Sequence, residues 1–238
     1  MLQASQILLS DPTLNHEYLP ITGLPGFVSS AARLILGEDS PAIAEGRVVS
    51  VQTISGTGAN HLAALFLSRY YPFNGDKVVY LSDPTWGTFR QFFRLRMLRE
   101  ILHHTVNHFA IFNNVGIKPL VYPYYDPRTI ALDFAGFIAT LESAPERSVF
   151  LLHACAHNPT GVDPTDEQWR IIADTILTKK HYAFFDAAYQ GFASGDLDRD
   201  AAAVRHFVSR GVPMLVCQVC NDRILVARSL NGMITELC

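Results

Sequence analysis

The sequence predicts an α/β protein of three layers, a mostly parallel sheet flanked by helices. Three observations carry that expectation. First, Val149–His153 and residues 182–186 are short runs, apolar almost throughout, that stop abruptly on a polar group, as parallel strands buried on both faces do. Second, the β-branched run at 48–54 passes through Ser55-Gly56-Thr57-Gly58 into a helical window at 59–71. Third, strand and helix patterns alternate at the spacing of βαβ units, with no internal repeat and no low-complexity linker.

Taken in order, residues 11–26 hold the turn formers Pro12, Pro20, Gly23, Pro25 and Gly26 and predict loop. Residues 27–36 predict a helix that Gly37 would end. After the strand at 48–54 and the helix at 59–71, an apolar strand at 77–81 runs into Ser82-Asp83-Pro84-Thr85-Trp86-Gly87. Residues 88–106 differ from their surroundings, with four arginines and no lysine or glycine, and predict a basic amphipathic helix. A strand is expected at 115–122, a turn at 124–127 and an amphipathic helix at 132–141. The central strand follows from Ser148. Pro164 to Trp169 opens another helix, with Asp163 or Thr165 as its N-cap, and Cys217 sits in a further strand-like run.

The totals bound the function. A chain of 238 residues that is 49% hydrophobic supports one substantial core. Its net charge of -3 gives no basic field, so neither nucleic acid nor an anionic membrane surface is an expected partner, and a small molecule is. No window approaches the roughly eighteen apolar residues of a membrane span. The four cysteines, Cys155, Cys217, Cys220 and Cys238, are unevenly spread, which points to a reducing compartment. Cys217 and Cys220 form a C-x-x-C that could be redox-active or half of a metal site, but no second pair follows.

Four groups of residues could carry chemistry. Ser-Gly-Thr-Gly between strand and helix is either a phosphate cradle, with free N–H groups, two hydroxyls and a helix N-terminus, or an ordinary tight turn. Trp86, past a proline turn at a strand end, is either a core plug or a stacking surface. His153, Cys155 and His157 stand at i, i+2 and i+4, which a strand would project on one face; a metal site is possible there, but no fourth ligand is evident. Asp186 ends a Phe-Phe run, and a carboxylate in that position is costly unless it meets a cation such as a protonated heteroaromatic nitrogen.

Asn15-His16-Glu17-Tyr18-Leu19-Pro20, Gln52-Thr53-Ile54-Ser55-Gly56-Thr57-Gly58-Ala59, Pro84-Thr85-Trp86, residues 152–161 and residues 184–195 together resemble the aspartate aminotransferases, class I pyridoxal-phosphate-dependent enzymes, over most of residues 11–218. The resemblance implies the large domain of that fold, incomplete, and pyridoxal 5'-phosphate as cofactor. It implies that Ser55, Gly56 and Thr57 hold the phosphate, that Trp86 stacks on the ring, and that Asp186 pairs with the ring nitrogen. Asn158 and Tyr189 would bind the phenolic oxygen, with Asn158 and Trp86 also near substrate. His153 would lie behind the ring, no metal would be held, and Tyr18 would reach the phosphate of a second subunit in a homodimer. The implied reaction converts aspartate and 2-oxoglutarate to oxaloacetate and glutamate.

The sequence departs from that pattern in three places. The Schiff-base lysine of the family falls shortly after the position of Gln218, yet no lysine follows Lys180 here. Residues 88–106 interrupt a motif in which Pro-Thr-Trp-Gly runs directly into Asn-His, the pair found here at Asn107 and His108. Residues 219–238 do not follow the family. The expected organisation is thus a partial cofactor domain over 1–218, interrupted by a foreign insert at 88–106, with a foreign tail at 219–238. As a polypeptide this chain is expected not to transaminate. The alternatives are a non-catalytic cofactor-binding or dimer-partner fragment and, less favoured, a metal site at His153, Cys155 and His157. The start at Met1 lacks an Arg-rich, acid-poor leader and predicts a cytoplasmic protein, with mitochondrial import as the alternative.

Overall fold

The computed structural model describes residues 6, 10–11, 17–86 and 107–219, and the backbone of 224–228. The expected insert at 88–106 lies outside the described residues, as does all of the expected tail except Val219 and the strand at 224–228.

Helix α1 (Pro25–Leu36) begins on a proline and ends where Gly37, at φ 94°, donates its N–H to the Arg33 carbonyl. A one-turn helix, α2 (Pro41–Ala44), leads to β1 (Val48–Val51) and then α3 (Ser55–Tyr70). The Ser-Gly-Thr-Gly stretch is therefore the first turn of α3, where a turn before the helix was expected. Next come β2 (Val78–Asp83), α4 (Asn107–Asn114) and β3 (Lys118–Pro123). The strand expected at 115–122 thus begins three residues later, behind a helix the pattern did not reveal. A small hairpin, β4 (Tyr125–Asp126) with β5 (Ala131–Leu132), replaces the expected simple turn.

Helix α5 (Phe134–Ser143), capped by Asp133, precedes β6 (Val149–His153). Helix α6 (Asp166–Thr178) opens with a reciprocal capping box between Thr165 and Gln168. Asp163 is therefore not its cap. Its carboxylate instead accepts the backbone N–H groups of Ala156, at 2.6 Å, and His157, at 2.8 Å, and so fixes the turn that leaves β6. The chain then forms β7 (Tyr182–Ala187), a one-turn α7 (Leu197–Asp200), α8 (Ala202–Ser209), β8 (Met214–Gln218) and β9 (Ile224–Arg228).

The main sheet runs β1-β9-β8-β7-β6-β2-β3, parallel apart from β9, which is antiparallel to both its neighbours. Two antiparallel steps restore direction, so β1 points the same way as β8 and its carboxyl end lies on the same edge. The chain moves outward from β2 to β3 and then crosses back over β2 to β6. That reversal is the switch point at which open α/β sheets bind ligands.

Strand alternation sorts the core into two faces. Phe150, Leu152, Phe185 and Val216 pack under α1, α5, α6 and α8, whereas Leu151, Phe184 and Leu215 pack under α3 and α4. The same alternation puts His153, Asp186 and Cys217, in register with one another across β6, β7 and β8, on the α3/α4 face. That places a carboxylate beneath two helices, so groups from both can reach it.

Candidate active site

The carboxyl ends of β1, β2, β6, β7 and β8 surround a cavity of about 230 Å³. Ser55, Gly56, Thr57, Trp86, His153, Asn158, Asp186 and Tyr189, all singled out in the sequence, line it. Tyr18 does not, and its side chain is fully exposed. The wall is completed by Asn60, Cys155, Ala188 and Val219.

One end of the cavity is the first turn of α3. A sixteen-residue helix begins there, so its unsatisfied N–H groups and partial positive charge face inward, beside the Ser55 and Thr57 hydroxyls. Ser55 holds φ at 61°, a conformation few side chains tolerate. A Cβ at Gly56 would stand 2.6 Å from Val219 Cγ2, so any side chain there would force Val219 to move.

The other end is Asp186, only 7% exposed. His108 Nε2 lies 3.1 Å from Asp186 Oδ2, and His108 Nδ1 lies 2.8 Å from the Thr85 hydroxyl. With Asp186 ionised, Nε2 donates to it, and Nδ1 shares a hydrogen bond with the Thr85 hydroxyl. Burial pushes the Asp186 carboxyl up, but the hydrogen bond and charge of His108, the His153 imidazole and the Asn60 amide together hold it below the usual carboxylate range. Asp186 is therefore an anion at neutral pH although it is buried.

His153 accepts the Asn158 backbone N–H at Nδ1, at 3.4 Å. Its Nε2 thus carries the proton, and among the described residues it has no partner. Burial, partly offset by Asp186, lowers its pKa to about 4. His157 lies between Ser82 and Thr160, each at 2.8 Å, and stacks on Tyr124 with centroids 3.8 Å apart; burial lowers its pKa to about 2. Asn158 Nδ2 donates to the Tyr189 hydroxyl at 3.2 Å, so these two side chains form one polar edge. Trp86 meets His108 edge-on, with ring centroids 5.4 Å apart.

The expectation that His153, Cys155 and His157 share one strand face fails, because β6 ends at His153 and the chain turns with Ala156 at φ 46°. His157 is committed to two hydroxyls, and burial pushes the Cys155 thiol up to about 12. Among the described residues no three His, Cys, Asp or Glu side chains gather as a metal site would require. Cys217 is buried on β8; Cys220, the other half of the C-x-x-C, lies outside the described residues.

Sequence reasoning missed His108 and Asn60. His108 served only as half of the Asn-His pair that bounds residues 88–106, and Asn60 drew no attention. The available signal was a polar residue on a buried helical stripe, Asn60 with Ala63, Ala64 and Leu67, and His108 beside Ile111 and Phe112.

His153 and His157 give an acid-stability prediction. Both are neutral in the fold, while the unfolded chain takes up their protons once the pH drops below about 6.5, so unfolding gains protons and stability falls with pH. At pH 5 the loss is about 2 kcal/mol for each of the two. Thermal melting should therefore fall steeply from neutral pH to pH 5, and a flat profile would contradict the buried neutral state.

Residues 1–107 and 105–220 match the family described as aminotransferase class I and II. Over 218 residues the chain is 50% identical to the cytoplasmic aspartate aminotransferase of Saccharomyces cerevisiae, covering 90% of this chain and 47% of the yeast protein. It is 42% identical over 234 residues to the mitochondrial aspartate aminotransferase of Gallus gallus, covering 98% of this chain and 50% of that one. The solved structure of the yeast cytoplasmic enzyme matches with a TM-score of 0.83 at 43% identity, over 99% of this chain and 55% of that chain. An aromatic-amino-acid aminotransferase from Burkholderia pseudomallei, described as covalently bound to pyridoxal phosphate, matches at 0.80 and 33% identity, over 96% of this chain and 53% of that chain. The chain spans about half the length of the curated relatives it matches.

Proposed function

The chain belongs to the class I and II aminotransferase family, and from that premise we propose that its cavity is the pyridoxal 5'-phosphate site of an aspartate aminotransferase. The observation that carries the reading is a buried, ionised Asp186 facing the N-terminal turn of a long helix across one cavity. A phosphorylated pyridine needs that pair, an anion for its ring nitrogen and N–H groups for its phosphate.

The residues present fit the group. Ser55, Gly56 and Thr57 would bind the phosphate. Trp86 would cover a ring face and exclude water, and Asn158 with Tyr189 would hold the phenolic oxygen. Asp186 would keep the ring nitrogen protonated, with His108 and Thr85 fixing the carboxylate from behind. When bound, pyridoxal phosphate supplies an electron sink for the substrate α-carbon. Aspartate and 2-oxoglutarate are the proposed substrates, with Asn158 and Trp86 at the substrate side.

The reading of this polypeptide as non-catalytic has its own support. Its four lysines are Lys77, Lys118, Lys179 and Lys180, and none lines the cavity. An arginine cannot stand in, because a guanidinium stays protonated. We propose a homodimer with Tyr18 serving a partner's phosphate; full exposure of Tyr18 away from its own cavity supports that. Residues 88–106 are proposed as an insert on their composition, four arginines with no lysine or glycine; the family match over residues 1–107 extends through them. A cytoplasmic location is proposed on the yeast relative, with the mitochondrial relatives keeping the alternative open.

The test uses the 238-residue chain and pyridoxamine 5'-phosphate, an amine that cannot condense with surface lysines. Equilibrium dialysis should show one site per chain, and aspartate with 2-oxoglutarate should give no oxaloacetate above background. No saturable binding would overturn the cofactor reading. Turnover by the purified chain would overturn the non-catalytic one.

A further inference from the structure

The loop that follows Tyr189 has little apolar packing to fix it. Residues 192–199 are all exposed, and Phe192, its one aromatic side chain, is 87% exposed. Two buried polar side chains hold the loop instead. Gln190 donates through Nε2 to the carbonyls of Leu34 and Leu197, each at 3.0 Å, and its Oε1 accepts from Gln218 Nε2 at 3.0 Å. Asp200, the last residue of α7, is 5% exposed. Its carboxylate accepts the backbone N–H groups of Gly191 at 2.8 Å, Ala193 at 3.1 Å and Ser194 at 3.1 Å.

Tyr189 begins the turn that this carboxylate grips. Its carbonyl accepts the Phe192 N–H at 2.9 Å, and Gly191, at φ 87°, stands inside the turn. A Cβ on Gly191 would lie 2.7 Å from Leu197 Cδ2, so the turn is pressed onto α7, the helix that ends in Asp200. At the far end of the side chain, the Tyr189 hydroxyl accepts from Asn158 Nδ2 at 3.2 Å. Drawing three N–H groups onto one carboxylate therefore sets where the turn stands, and the phenol moves with it. We propose that Asp200 is a positioning residue, which gathers the N–H groups of Gly191, Ala193 and Ser194 and so holds the turn from which Tyr189 reaches the Asn158 edge of the cavity. The inference rests on the cofactor reading given above, in which that edge takes the phenolic oxygen.

Burial pushes the Asp200 carboxyl up, but the bonds from Ser194, Gly191 and Ala193 hold it below the usual carboxylate range. It is an anion at neutral pH, and Asp200→Asn removes that charge while keeping the shape. One acceptor oxygen becomes an N–H₂ group facing N–H donors, so the grip on the turn is lost.

Equilibrium dialysis with pyridoxamine 5'-phosphate tests the role. Tyr189→Phe should bind about fivefold more weakly, the worth of one hydrogen bond. Asp200→Asn should lose about as much, yet bind inorganic phosphate as the unaltered chain does, because the first turn of α3 is untouched. In the Tyr189→Phe background, adding Asp200→Asn should cost less than about twofold more, since the hydroxyl it positions is already gone. Asp196, whose carboxylate accepts the N–H groups of Asp198 and Arg199 instead, is the control, and Asp196→Asn should bind as the unaltered chain does. The inference is overturned if Asp200→Asn causes no loss, if it causes the same loss with and without the Tyr189 hydroxyl, or if Asp196→Asn matches it. Should Asp200→Asn fail to fold, the same comparison with Asp200→Glu decides, because that variant keeps the charge and moves it by one methylene. Failure of the unaltered chain to bind pyridoxamine 5'-phosphate would instead remove the cofactor reading, and this inference with it.

Discussion

Asp186→Asn is expected to weaken pyridoxamine 5'-phosphate binding on the order of 100-fold, about 3 kcal/mol, the cost of leaving one partner of a buried charge pair alone. The shape of the side chain is kept, so the loss reports charge. In the fold the carboxylate remains an anion despite burial, because His108, His153 and Asn60 oppose desolvation. An amide offers the ring nitrogen no counter-charge. The pH dependence separates the two proteins further. Binding by the unaltered chain should hold at neutral pH and fall only as the pH drops through the depressed Asp186 value, below the usual carboxylate range. Asp186→Asn should lack that limb. Equal affinities in dialysis would take Asp186 out of the role given to it.

Phe185→Ala should cost about 3–5 kcal/mol of folding stability, the range for deleting a buried aromatic ring. Phe185 is fully buried on the face opposite the cavity. Its ring meets Phe207 of α8 edge-on at 4.9 Å and Trp169 of α6 at 5.9 Å. Truncation leaves a void between two helices and the sheet that neither helix can close without breaking its own packing. Denaturant unfolding should show the midpoint falling. Because its neighbour Asp186 points to the other face, the variant, where folded, should still bind pyridoxamine 5'-phosphate. A loss below about 1 kcal/mol would mean that the site collapses to fill the gap.

The sheet is legible in the sequence because it depends on local chemistry, whereas Asn158, Tyr189 and Tyr18 enter only through the family resemblance. Short apolar runs ending on His153 and Asp186 gave two parallel strands and their carboxyl edge, and the high cost of an isolated buried carboxylate marked Asp186 as needing a cation. The Ser-Gly-Thr-Gly pattern leaves a phosphate cradle and a tight turn open, and its boundary is misplaced because the glycines that suggest a turn also fit the first turn of a helix. What was missed depends on distance along the chain. His108 reaches Asp186 across 78 positions, a pairing no local pattern contains. Helix α4 has asparagines at both ends and a Phe-Ile-rich centre, a composition that does not announce helix, and so the following strand was begun too early. His153, Cys155 and His157 were set on one face by extending strand periodicity past the residue where the strand stops.

The central claim is that Asp186 holds a protonated pyridine nitrogen in this cavity. It is tested most directly by the nitrogen NMR shift of pyridoxamine 5'-phosphate, isotope-labelled at the ring nitrogen and bound to the chain at mildly alkaline pH. The predicted result is a pyridinium signal that reverts to that of neutral pyridine in Asp186→Asn. A neutral-pyridine signal in the unaltered chain would contradict the account.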